Sequence, residues 1–171
     1  MKALSPKRTL RRSASPAVAS LATVLRYRNR RVIRSFLLHY DLPEAEAAAL
    51  FQDVLRFLWL CASENRPLLI LDSQLLFDEM WHTFILHTRA YEAFCLRHFG
   101  RVMHHLPADA SRRGRVLSAS QRRLADAQVD DTVACVFDRL GEQVADRWYR
   151  QHARRYTPRF IERCRVPLSA R

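Results

Sequence analysis

Five of the seven histidines, His82, His87, His98, His104 and His105, fall between Asp78 and Pro107, interspersed with Asp78, Glu79, Tyr91 and Cys95. Imidazole, carboxylate and thiolate groups ligate transition metals, and imidazole exchanges protons near neutral pH. Residues four apart share a helix face, which sets Asp78 beside His82. A carboxylate there can hold one imidazole nitrogen, fix the tautomer and leave the other nitrogen for a metal or a proton. Asp78 can equally act as a ligand itself. The spacing matches neither His-Glu-x-x-His nor paired Cys-x-x-Cys, so a divalent metal such as zinc or iron is argued from clustering alone. The candidate metal ligands are Asp78, His82, Cys95, His104 and His105, and the candidate cofactor contacts are Trp81 and Tyr91. The plainer alternatives are a helical ion pair for Asp78 and His82, a core stripe for Tyr91, Phe94 and Cys95, and a solvated pair for His104 and His105.

These residues need a scaffold. A helix capped by Asp72 or Ser73 is expected to run to about Phe99, with Gly100 in the left-handed position past its end. In one straight helix His82 and Cys95 lie ~20 Å apart along the axis, which excludes a nucleophile–base pair between them. His104 and His105 return from Gly100 on five residues spanning at most ~17 Å, whereas His82 is ~27 Å back along the helix. The expectation is therefore two polar clusters, Asp78/Glu79/His82 and Cys95/His98/His104/His105. A merged site requires the helix to end early or both side chains to stretch towards each other.

The remaining apolar periodicity and the mere 3 glycines point to an all-α fold. It is expected to be a compact bundle of about four main helices with a basic N-terminal leader. A first helix starts at Ser15-Pro16 and runs to about His39. A second runs from Pro43 to Ser63 with Leu50, Phe51, Val54, Leu55, Leu58 and Trp59 buried. Leu68 to Leu71 is a strand stub or an extended lead-in. A Ser/Arg/Ala-rich loop continues through Gln121, and a fourth helix covers about Asp130 to Ala153, ended by Thr157-Pro158. In domain terms, residues 1–14 form a flexible leader, 15–160 a single helical domain and 161–171 a C-terminal tail.

The segment Asp78-x-x-Trp81-His82-x-Phe84, Thr88-x-x-Tyr91-x-x-Phe94-Cys95, Phe99-Gly100 and His104-His105-x-Pro107 resembles the signature of the glycine-rich-domain-containing-protein-like family. The likeness covers about Leu68 to Pro107. It implies a shared polar site at Asp78, Trp81, His82, Tyr91, Cys95, Gly100, His104 and His105 but no assigned activity. This chain lacks a glycine-rich region, so nothing attributed to such a region carries over.

The net charge of +12 is concentrated at the two ends, and residues 1–40 hold ten Lys or Arg and no acid. Arginine favours bidentate contact with phosphate or carboxylate, so an acidic protein or nucleic acid is a candidate partner; a merely solvated basic face is the alternative. Aromatic residues interleave little with these arginines, which argues against sequence-specific RNA reading. The four cysteines are widely spaced and read as free thiols in a reducing compartment. Without a spanning apolar run or a signal-like core, the expected location is cytoplasmic, though the acid-free N-terminus also resembles an organelle transit peptide. Three functions compete: a metal- or small-ligand-binding domain, an interaction or scaffold module using the Arg-rich first helix, and an enzyme with His82 as general base. The last ranks lowest, because no residue is singled out to stabilise developing charge.

Overall fold

Helix α3 (Glu44–Glu64) packs against α1 (Leu21–Val24), α2 (Arg30–Leu37), α4 (Leu75–Leu86) and α6 (Ala119–Leu140). It starts after Pro43, with Glu44 and Glu46 in its first turn, where carboxylates complement the helix dipole. Leu50, Phe51, Val54, Leu55, Phe57, Leu58 and Leu60 are buried along it, and Asn65 ends it in the left-handed conformation (φ 52°). The expected second helix therefore forms nearly as read, although Trp59 is only half-buried. The computed structural model describes residues 17–66, 68–71, 74–105 and 118–167; the basic leader and the Asp72/Ser73 cap lie outside the described residues.

The chain is all-α, but the expected four long helices are replaced by more and shorter ones. The first divides into α1 (Leu21–Val24) and α2 (Arg30–Leu37). Asn29 takes an extended conformation and accepts hydrogen bonds from the Arg31 and Val32 amides, so it starts α2. The intervening Tyr27 packs its ring 4.8 Å from Phe94 and 5.9 Å from Phe84. The third divides at His87 (φ −79°, ψ 55°) into α4 (Leu75–Leu86) and α5 (Thr88–Phe99), with Gly100 left-handed at φ 69° as expected. The fourth begins at Ala119 rather than near Asp130, because Ser118 and Gln121 form a reciprocal capping box. This helix, α6 (Ala119–Leu140), buries only Thr132 and Val136, and Phe137 is exposed.

Gly141 (φ 85°, ψ 165°) then occupies a region open in practice only to glycine and redirects the chain. Helix α7 (Glu142–Asp146), a π-helical turn (Arg147–Gln151) and α8 (His152–Arg155) follow without a break, and Trp148 is fully buried. Thr157 caps α9 (Pro158–Cys164), with Pro158 in the first turn. The end of α9 returns to α2: Tyr40 and Arg165 form an isolated antiparallel bridge, with the Val166 amide donating to the His39 carbonyl at 2.9 Å. There is no strand among the described residues, and Leu68–Leu71 is irregular. No described helix is long and apolar enough to cross a membrane.

Candidate functional site

The break at His87 decides the site. Trp81 Nε1 donates to the Tyr91 hydroxyl at 3.1 Å across ten residues, whereas a straight helix would separate their backbones by ~15 Å. Helix α5 therefore folds back on α4, with Phe84 packing 5.1 Å from Tyr91 and 5.4 Å from Phe94. His87 is fixed at this corner by a 2.9 Å hydrogen bond to the Ser35 hydroxyl.

The segment after Gly100 then crosses the α4–α5 pair. The Tyr91 hydroxyl donates to the Met103 carbonyl, so it accepts from Trp81 and donates to the return segment. Two residues on, His105 Nε2 reaches Asp78 Oδ1 at 3.0 Å. His82 Nδ1 is 3.9 Å from Asp78 Oδ2, and the His82 and His105 rings are 4.4 Å apart. One donor atom from each of Asp78, His82 and His105 lies within 4.8 Å of the other two. The two-cluster expectation is thus corrected for His105. It joins Asp78 and His82, because the helix assumed to be straight ends at Leu86 and doubles back.

The group is graded in accessibility: the His105 side chain is 14% exposed, Asp78 23% and His82 45%. Trp81 seals one side, its ring 4.5 Å from His105. The indole and the Tyr91 hydroxyl are buried and occupied by hydrogen bonds inside the chain, and burial raises the hydroxyl well above its ordinary pKa. Both residues hold the return segment against α4 and α5.

The other expected site residues lie elsewhere. Cys95 is fully buried, and burial raises its thiol above the ordinary range. Its neighbours are Tyr91 and the Met103 backbone, and it is not in the Asp78 group. His104 is exposed. His98 is buried against Phe94, its carbonyl accepts from the Ala19 amide, and burial followed by nearby Arg97 lowers its imidazole pKa. Glu79 turns toward Arg165, 3.8 Å away.

A second polar cluster was not anticipated. Asp53, 1% exposed, accepts from Arg56 at 3.2 Å and from Arg147 through both Nε and Nη2. His152 Nε2 stands 3.7 Å from its other oxygen. The signal was an acid inside the apolar stripe of α3, one turn from Leu50 and Phe57 and beside Val54. What made it cryptic is that its partners other than Arg56 come from the π-helical turn and α8, 94 and more residues away.

No curated protein and no solved structure matches the chain. A family model described as UCP032817-like matches residues 23–146, which contain Asp53 and the whole Asp78/His82/His105 group. With more than half of its length matched, the chain belongs to the UCP032817-like family.

Proposed function

We propose that this helical domain binds a divalent transition metal, zinc or iron(II), through Asp78, His82 and His105. The observation that carries the reading is the convergence of three ligand-type atoms within 4.8 Å. Two imidazoles and one carboxylate suit either ion and leave coordination positions for water or a small ligand. Metal–ligand bonds of ~2.0–2.1 Å at tetrahedral angles place donors ~3.3 Å apart, so the group must contract by ~1.5 Å. The half-exposed His82 side chain has the freedom to make that movement. Imidazole nitrogens bind metal only when unprotonated, so protons compete with the metal and affinity falls as pH falls. The glycine-rich-domain-containing-protein-like resemblance falls on the same residues and supports a shared site rather than packing alone.

Elemental analysis and calorimetric titration of the purified protein with Zn(II) and, anaerobically, Fe(II) test this. Near-stoichiometric binding that His82→Ala abolishes in a folded protein is expected. Absence of bound metal together with no heat of binding from either ion rejects it.

A second reading, an acidic protein or nucleic acid on the basic N-terminal helices, is favoured by one observation. Arg30, Arg31 and Arg34 are exposed on α2 opposite its buried Val32, Ile33 and Phe36, and none is in an ion pair among the described residues. Binding of DNA or RNA that weakens steeply with salt is its expected signature.

A further inference from the structure

The Asp53 cluster borders a cavity of about 210 Å³, remote in sequence from the Asp78 group and lined in part by Arg147, Arg155 and His152. Its origin is the π-helical turn. In an α-helix residues five apart point ~140° away from each other. Here the His152 amide bonds the Arg147 carbonyl, five residues back, so both side chains meet Asp53.

Arg56 and Arg147 engage Asp53, while Arg155 binds Glu46 through Nε at 2.8 Å and Nη2 at 2.7 Å. Two guanidinium groups, Arg147 and Arg155, and the two carboxylates they bind thus line the cavity. Arg147 and Arg155 each use Nε and Nη2, and Nη1 of each has no hydrogen bond among the described residues. The second edge of a guanidinium is suited to bidentate contact with an oxyanion.

His152 supplies an independent sign. It is 7% exposed, and its buried Nδ1 has no hydrogen-bond partner among the described residues. A buried polar atom left without a partner costs ~1–3 kcal/mol, so such atoms often belong to sites completed by something else. Burial holds this imidazole below its ordinary pKa, leaving it neutral near pH 7 and able to donate or accept. Ala49, Leu50 and Tyr156 add an apolar wall suited to carbon rather than to a bare inorganic ion.

We infer that this cavity binds a small organic oxyanion, with its charged group between Arg147 and Arg155 and its apolar body on Ala49, Leu50 and Tyr156, beside the His152 ring. Carboxylates and phosphate monoesters share this chemistry. The site is separate from the proposed metal centre, so His82→Ala leaves it intact.

Calorimetric titration of the full chain with benzoate and with phenyl phosphate tests the inference. Saturable one-to-one binding of at least one probe is expected, and the tighter of the two identifies the group preferred. Arg155→Gln removes one guanidinium, and Ala49→Leu fills the wall without touching any charge. Each should weaken binding at least about tenfold, while Arg154→Gln, on a neighbouring residue that does not line the cavity, leaves it within about twofold. Ala49→Leu decides the matter should Arg155→Gln fail to fold. The inference is overturned by no saturable binding of either probe up to about 10 mM. Undiminished binding by Ala49→Leu, or an equal loss in Arg154→Gln, overturns it as well.

Discussion

His105 Nε2 lies 3.0 Å from Asp78 Oδ1 although 27 residues separate them. The contact exists because α5 folds back at His87 and Tyr91 anchors the Met103 carbonyl two residues before His105. The adjacent histidines therefore have different surroundings: His105 is mostly buried in the group, and His104 is exposed. His105→Ala should lower zinc affinity at least about tenfold, and His104→Ala should leave it nearly unchanged. Calorimetric titration of both variants makes the comparison; equal losses would move the centre off the Asp78 side.

The Tyr91 hydroxyl links Trp81 to the return segment. Tyr91→Phe keeps the ring in the core but leaves the Met103 carbonyl and the Trp81 N–H without this partner. A cost of ~1–3 kcal/mol is expected in urea unfolding, together with weaker zinc binding because His105 loses its tether. A stable variant with unchanged zinc affinity would mean that the tether does not position His105.

Asp53 is the most buried charge among the described residues, surrounded by Arg56, Arg147 and His152. Asp53→Ala strands Arg147 against a cavity wall and is expected to cost ~3–5 kcal/mol in urea unfolding. Exposed Asp131, paired with Arg66, provides the contrast: Asp131→Ala should cost no more than ~1 kcal/mol. The same assay on both variants reads the difference.

Burial lowers the imidazole pKa of both His98 and His152 from the ordinary 6.5. The unfolded chain then takes up protons before the folded one, so this stability is present above pH 6.5 and is lost as pH falls below it. Glu46, held below its ordinary 4.5 chiefly by its hydrogen bond to Arg155, gives way at lower pH still. Urea midpoints should therefore fall between pH 7.5 and about pH 5.5, and His98→Phe should flatten that part of the profile. Identical midpoints at the two pH values would count against the two buried imidazoles as the cause.

Cys61 is buried, and burial pushes its thiol pKa to about 12; Cys95 is fully buried and raised as well. Only the thiolate attacks alkylating reagents. Both should resist iodoacetamide at pH 7.5 in the folded chain and react once it is unfolded in urea, as followed by mass spectrometry. Rapid modification of Cys95 in the native state would show that the return segment opens readily.

By itself the sequence determined the helical class, the course of α3 and the segment holding the chemistry, because these follow from local periodicity, caps and composition. Asn65, Gly100 and Thr157-Pro158 act on their nearest neighbours and are legible locally, Asn65 as a break, Gly100 as a left-handed end and Thr157-Pro158 as a helix boundary. The first half of α6 was missed because it is mostly exposed, with only Ala125 and Val129 half-buried, and so carries a weak apolar stripe. The break at His87 was missed because nothing in Leu86-His87-Thr88 forbids a helix; the corner depends on Ser35 and on Phe84 packing against Tyr91 and Phe94. Only the tertiary structure decided that His105 rather than His104 or Cys95 meets Asp78 and His82, since that turns on where a segment lands after two reversals. It alone also joined Asp53 to Arg147 and His152, through one π-helical turn far along the chain.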